Sequence, residues 1–171
     1  MNSIERREDI IKSLIDSNKA LKGTKLAYKY GVTRQIIVKD IAILRAKGNN
    51  IIATPEGYII GKEDNRIKSV VAVTHKEDRL AEELKTVIKY GGIIEDVIVE
   101  HPLYGEIKGM LMIKNLNDLE KFMTRYSQNS AKPLSLLTDG VHIHTISADS
   151  QENMDSILME LREKGFIIEE N

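Results

Sequence analysis

The chain has 171 residues, 42% of them hydrophobic and 30% charged, with a formal net charge of -1, enough apolar material for one large domain or two small ones. No uncharged apolar stretch approaches the roughly eighteen residues of a membrane span, residues Met1 to Glu8 lack the apolar run of a signal peptide, and the absence of cysteine excludes disulfides, thiolate nucleophiles and sulfur-ligated zinc, so a cytoplasmic protein is expected. The charge is unevenly spread: residues 1–62 carry twelve Lys+Arg against six Asp+Glu, a balance of +6 that leaves -7 for the remainder, which points to two units with different partners, the basic one suited to a polyanion.

Ile10, Ile11, Leu14 and Ile15 recur at helical spacing and predict an amphipathic helix over 4–17. A short helix at 23–29 follows, with Leu26 and Ala27 inward. Gly31-Val32-Thr33 is a turn, and Thr33 is placed to cap a third helix running from Arg34 to Lys47, with Ile37, Ile41 and Leu44 on one side. Ala27, Gly31 and Ile37 have the spacing of a helix-turn-helix: a small residue admits the partner helix, glycine tolerates a left-handed turn, and isoleucine fills the angle between helices. In that arrangement the start of the second helix enters the major groove, presenting Thr33, Arg34 and Gln35. Arg suits guanine and Gln suits adenine in bidentate contacts, whereas Lys39 and Lys47 suit phosphates. Ile51-Ile52-Ala53-Thr54 and Gly57-Tyr58-Ile59-Ile60 flank a Pro-Glu turn and predict a hairpin, the wing of a winged helix-turn-helix.

Glu63-Asp64-Asn65 forms a polar hinge, giving expected domains over 1–62 and 66–171. The second domain alternates strand and helix: strand Ile67–Thr74, helix Lys76–Tyr90, strand Ile93–Val99, a strand at 106–113, helix 116–128, an irregular run Pro133–Asp139, strand Val141–Ser147, helix 151–164 and a last strand Phe166–Ile168. The succession βαββαβ followed by αβ makes the fold class α+β, a winged helix-turn-helix followed by a ferredoxin-like α/β sandwich. A doubly wound parallel sheet fits less well, because the second and third strands are joined too closely for a crossover.

Its chemistry centres on Gly140-Val141-His142-Ile143-His144-Thr145. Two histidines two apart on a strand share a face with about 6.8 Å of rise between them, within reach of one metal ion. The same pair can also be two ordinary residues of a polar sheet face. Ile143, between them, is expected to point the other way into a core. His75 ends the first strand, and Asp78, Glu82 and Glu83 follow, so a third nitrogen and a carboxylate are at hand. Nitrogen and oxygen donors without sulfur suit zinc, nickel or iron(II). His101 and Tyr104 flank a loop beside Pro102. No nucleophile–base pair, phosphate loop or dinucleotide fingerprint is present, so no enzyme is expected.

Two stretches carry a resemblance. Gly31-Val32-Thr33-Arg34-Gln35-Ile36-Ile37-Val38-Lys39-Asp40-Ile41 is similar to the helix-turn-helix of the nicotinate-responsive repressors of NAD biosynthesis and niacin uptake genes. Asp96-Val97-Ile98-Val99-Glu100-His101-Pro102-Leu103-Tyr104-Gly105 and Gly140 to Ile146 resemble their C-terminal 3H domain, named for three histidines. Bifunctional biotin ligases carry a similar winged helix, but their signatures are absent. The resemblance implies a divalent transition metal held by His75, Glu83, His142 and His144. If the segment were helical throughout, the eight residues from His75 to Glu83 would span about 12 Å, so the backbone near His75 must fold back, and Glu82 and Asp78 remain alternative carboxylates. It also implies nicotinic acid as co-repressor, with His101 and Tyr104 as candidate contacts and an open metal position that its pyridine nitrogen or carboxylate could complete. The implied assembly is a homodimer on double-stranded DNA, its two winged helices reading a palindromic operator about 34–36 Å apart. A metal-responsive regulator, with the ion itself as signal, is the alternative.

Overall fold

The computed structural model describes residues 2–61, 64–130 and 132–169, and the chain divides into two compact units at Asp64/Asn65. Lys62 and Glu63, part of the expected domain edge and hinge, lie outside the described residues. Among the described residues no helix is long and apolar enough to cross a membrane.

The N-terminal unit is α1 (Ser3–Asp16), α2 (Gly23–Tyr30), α3 (Arg34–Ala46), β1 (Ile51–Thr54) and β2 (Gly57–Ile60). Asn2 and Glu5 close a reciprocal capping box at the start of α1, satisfying backbone donors that the first turn would leave bare. Thr33 caps α3 by accepting from the Ile36 amide at 3.4 Å, as its position predicts. Gly31 ends α2 at φ 63°, in the left-handed region where glycine is the least strained residue. Ile10, Leu14, Leu26, Ala27, Ile37, Ile41, Leu44 and Ile51 pack into one core. Ile15 does not join it and is exposed. β1 and β2 pair antiparallel with Thr54 opposite Gly57. Leu21 adds a third, single-residue rung, exchanging two backbone hydrogen bonds of 2.9 Å with Tyr58.

A buried carboxylate ties this unit together. Asp40 sits at a core position of α3, 2% exposed, and accepts from Arg6 Nε at 2.7 Å and Arg7 Nη1 at 3.1 Å. Both acceptor oxygens are thus matched by cations from α1, which locks the crossing of the two helices.

The C-terminal unit is β3 (Ile67–Thr74), α4 (Leu80–Lys89), β4 (Ile93–His101), β5 (Gly105–Ile113), α5 (Leu116–Gln128), β6 (Val141–Ala148) and α6 (Gln151–Glu163), with 3-10 turns at Glu77–Arg79 and Leu134–Thr138. The four strands form one sheet in the order β3-β6-β4-β5, every neighbour antiparallel. β6 thus splits the parallel pair β3 and β4, and β5 takes the sheet edge. The α+β class is as expected, but a ferredoxin-like order would put the hairpin strand β5, not β6, between β3 and β4. Apolar residues of α4, α5 and α6 close one core with Val71, Val73, Ile94, Ile113, Ile146 and Ala148.

Three elements differ from expectation. The helix expected from Lys76 begins at Leu80, because Lys76 offers no side-chain cap and the chain leaves β3 through the 3-10 turn. The last strand, Phe166–Ile168, is a single bridge between Ile167 and Val73: the Thr74 amide of β3 donates to it and the Ile168 amide donates to β3, while the Phe166 amide turns back to the Leu161 carbonyl. Ile143 alternates to the sheet face away from the helices, where it is half-buried and outside the core.

Candidate functional site

The strand β6 reads Val141-His142-Ile143-His144-Thr145-Ile146-Ser147-Ala148, and its alternation puts His142 and His144 on the same face as the core residues Ile146 and Ala148. Across the ladder His142 pairs with Val73 and His144 with Val71. The two imidazoles therefore continue the apolar stripe of the sheet and are 3% and 2% exposed; they are not residues of a solvated face. His75 follows β3 directly, and the 3-10 turn swings α4 back over the strand end. Glu83 then meets the histidines from the first turn of α4, 1% exposed.

Glu83 Oε2 lies 2.7 Å from His75 Nε2 and 3.5 Å from His142 Nε2, and Oε1 lies 3.4 Å from His144 Nε2. The remaining nitrogen of each ring is engaged elsewhere: His75 Nδ1 with the Lys76 carbonyl at 2.7 Å, His142 Nδ1 with the Gly140 carbonyl at 2.8 Å, and His144 Nδ1 with the Asp96 carbonyl at 2.5 Å. A carbonyl only accepts, so each Nδ1 carries the proton and donates it. In the neutral ring that leaves the Nε2 lone pair directed at the carboxylate. Lone pairs facing a carboxylate need a cation among them, either a proton or a metal ion.

The electrostatics bear this out. Burial pushes Glu83 up, but attraction to His142, His144 and His75 outweighs it and holds the carboxyl well below its ordinary value. Burial lowers His75 and His144, yet the Glu83 carboxylate, together with the Lys76 and Asp96 carbonyls respectively, raises both above the ordinary histidine value. Glu83 Oε1 and His144 Nε2 are nonetheless buried without a hydrogen-bond partner; at 3.4 Å their approach is an attraction, not a formed bond. These two orphaned atoms, together with the Nε2 atoms of His75 and His142 beside the same carboxylate, make a set of three nitrogens and a carboxylate that fits a transition metal of the zinc, nickel or iron(II) type. Ligand atoms of His75, Glu83 and His142 lie within 4.8 Å of one another.

The alternative carboxylates are elsewhere. Glu82 pairs with Arg79 at 2.9 Å on the surface, and Asp78 is exposed on the 3-10 turn. Two further groups, not legible from spacing, shape the cluster. Phe166, fully buried, stands edge-on to His75 with ring centroids 5.5 Å apart, and the Arg79 guanidinium lies 4.2 Å from the Phe166 ring centroid. Gly140, at φ 95°, passes so close to His75 that a Cβ there would sit 2.5 Å from the His75 carbonyl oxygen. A glycine two residues before His142 was the available signal for this close approach.

His101 and Tyr104 lie together at the β4–β5 hairpin, ring centroids 5.0 Å apart. His101 Nδ1 accepts from the Leu103 and Tyr104 amides at 3.2 and 3.4 Å, so this histidine organises its own turn, and Tyr104 is exposed. Neither ring is among the groups that contact Glu83.

In the N-terminal unit Thr33, Arg34, Gln35, Lys39 and Lys47 are all exposed along α3 and its C-cap. Arg34 lies close to Gly23, at the start of α2: its Nε is 3.8 Å from where a Gly23 Cβ would stand. Gln35 and Lys39 project from the face opposite Ile37 and Ile41, as the 100° step per residue requires.

Comparison with known proteins agrees with both halves of the chain. Residues 68–170 match the 3H domain family and residues 6–59 match an HTH domain. The chain is 43% identical over 166 residues to a protein of Thermotoga maritima (strain ATCC 43589 / DSM 3109 / JCM 10099 / NBRC 100826 / MSB8) named "Probable transcription repressor NiaR", covering 97% of this chain and 95% of that one. It is 34% identical over 169 residues to "Transcription repressor NadR" of Bacillus subtilis (strain 168), covering 96% and 94%. An uncharacterized protein of Methanothermus fervidus (strain ATCC 43054 / DSM 2088 / JCM 10308 / V24 S) is 26% identical over 142 residues, 76% of this chain and 22% of that one. Both named relatives carry the name of a transcription repressor.

Proposed function

The chain belongs to the family of transcription repressors that join an HTH domain to a 3H domain, and on that premise we propose that it represses NAD biosynthesis and niacin uptake genes in the cytoplasm, with nicotinic acid as co-repressor. His75, Glu83, His142 and His144 hold a divalent transition metal, nickel, zinc or iron. The observation that carries the metal is the set of three imidazoles whose Nδ1 atoms are committed to backbone carbonyls while their Nε2 atoms converge on one buried carboxylate. Carbonyl partners of this kind orient metal-ligating histidines and fix their tautomer.

Two such chains form a homodimer whose winged helices read a palindromic operator. Thr33, Arg34 and Gln35 contact base edges, and Lys39 and Lys47 contact phosphates. Nicotinic acid shifts the protein toward the DNA-binding arrangement only to the extent that it binds that arrangement more tightly. His101 and Tyr104 are the candidate effector contacts.

The test is a fluorescence-anisotropy titration of metal-loaded protein onto DNA from upstream of NAD-pathway genes, at fixed salt, with nicotinic acid, with nicotinamide and with neither. Nicotinic acid tightens binding and nicotinamide does not; operator in turn raises nicotinate affinity by the same factor. Binding indifferent to nicotinate rejects the co-repressor assignment. A second reading, in which the ion itself is the signal, is favoured by the enclosure of the donors, whose side chains are 1–3% exposed. Four protein donors around an enclosed ion resemble a closed site without a position for a ligand. Metal-dependent DNA binding without nicotinate selects this second reading.

A further inference from the structure

Ile36, Ile37 and Val38 place three β-branched residues in succession on the helix that carries the candidate base contacts. Ile37 is fully buried, but Ile36 and Val38 are 37% and 44% exposed, and neither packs against the core of this unit. β-branched side chains are restrained in a helix, so Val38 is favoured neither by helix propensity nor by a place in that core. Its surroundings are distinctive. Gln35 precedes it by three residues and Ala42 follows by four, so both are its neighbours on the helix surface. Arg34 and Arg45 lie four before and seven after it on the same side, with Lys39 adjoining. Arg34, Gln35, Lys39, Ala42 and Arg45 are all exposed. Ile36 stands on the opposite shoulder beside Asp40, which α1 covers through Arg6 and Arg7.

An apolar group framed by cations and a Gln, with an alanine step below it, complements the major groove, whose one apolar base-edge feature is the thymine methyl. We propose that Val38 is a specificity-determining residue that reads a thymine methyl, placing a T·A pair beside the base pair that Gln35 contacts in each half-site. The inference rests on the DNA-binding reading above and adds a base preference to it.

The experiment starts from a duplex selected out of a random-sequence pool by the full chain, with nickel(II) and nicotinic acid present. Thymines of that duplex are then replaced one position at a time, in both half-sites together, by deoxyuridine, which lacks only the methyl. At one thymine position wild-type binding weakens by about fourfold per half-site, the value of one buried methyl group. Val38→Ala binds the thymine duplex more weakly and no longer distinguishes thymine from deoxyuridine there. Lys39→Ala weakens both duplexes and keeps the distinction, which separates loss of a methyl contact from general loss of affinity. Folding is not at stake, because Val38 is outside the core and alanine favours helix. The proposal is overturned if every deoxyuridine duplex binds like its thymine parent, or if Val38→Ala retains the full distinction. A chain that enriches no duplex at all overturns the DNA-binding reading, and this inference with it.

Discussion

Removing the proposed metal should soften the C-terminal unit specifically, and the size of the effect follows from two atoms. Glu83 Oε1 and His144 Nε2 are buried without hydrogen-bond partners. Each such group costs about 1–3 kcal/mol, so an ion satisfying both contributes about 2–6 kcal/mol. For a unit of roughly 100 residues each kcal/mol moves Tm by about 4–8 °C, and the lower bound is therefore a rise of about 8 °C. Calorimetry of chelator-stripped protein against protein with excess nickel(II) or zinc(II), at pH 7.5, measures it. Glu83→Gln keeps the volume but removes the charge that draws three imidazoles together, and its shift should fall below about 2 °C, a fraction of the wild-type value. Glu82→Gln, whose parent pairs with Arg79 at the surface, should keep the whole shift. Because His75 and His144 hold their protons above the ordinary histidine range, metal must displace protons, and the shift should grow as pH rises through and beyond about 6.5. A full shift in Glu83→Gln would refute the carboxylate assignment. No shift with nickel, zinc or iron(II) would leave the cluster as a proton-bridged polar core.

Three other substitutions test the surrounding architecture. Gly140→Ala places a methyl 2.5 Å from the His75 carbonyl at a φ of 95°; it should lower metal affinity by about 10–100-fold, the range for disturbed metal surroundings, and titration with a competing chelator reads the change. Glu160 accepts from Lys89, Tyr90 and Lys164, and these partners hold its pKa down at about 2. A depressed carboxyl contributes stability that is present above the unfolded value near 4.5 and is lost as pH falls toward 2. With Lys89 half exposed, that is about 1–2 kcal/mol after screening; Glu160→Gln should lose that much less unfolding free energy than wild type in urea titrations as pH falls from 4.5 to 2. Asp40→Ala should destabilise the N-terminal unit by about 3 kcal/mol, since it strips two largely buried arginines of their partner, whereas Arg7→Ala leaves Asp40 paired with Arg6 and should cost about 1 kcal/mol. Equal losses in urea denaturation would contradict the shared-carboxylate arrangement.

The parts of the fold that were legible in the sequence are those decided by near neighbours. Thr33 is a cap because its hydroxyl reaches an amide three residues on, and His142 and His144 share a face because a strand alternates. Whether that face is wet or dry is decided by strands and helices far along the chain. The sheet order, with β6 between β3 and β4, is what puts Val71 and Val73 beside the histidines and α4 above them. Choosing Glu83 over Glu82 and Asp78 likewise depended on where α4 begins, which the 3-10 turn at Glu77–Arg79 moves to Leu80. One local signal did exist: Glu83 shares the stripe of Leu80, Leu84 and Val87, three or four residues from two of them and next to the third, whereas Glu82 does not.

The same signal marks Asp40, which sits on the stripe of Ile37, Ile41 and Leu44. Each unit thus buries a carboxylate at a core position of a helix, where an unpaired charge is prohibitively costly. Their compensation differs in kind. Asp40 is met by Arg6 and Arg7, whose charge is permanent and belongs to the chain. Glu83 is met by three imidazoles whose Nδ1 protons are spent on carbonyls, so the charge facing it must come from solution. The first arrangement draws its counter-charge from within the chain. The second, filled by a cation as proposed, would make a unit whose packing depends on what the solution contains.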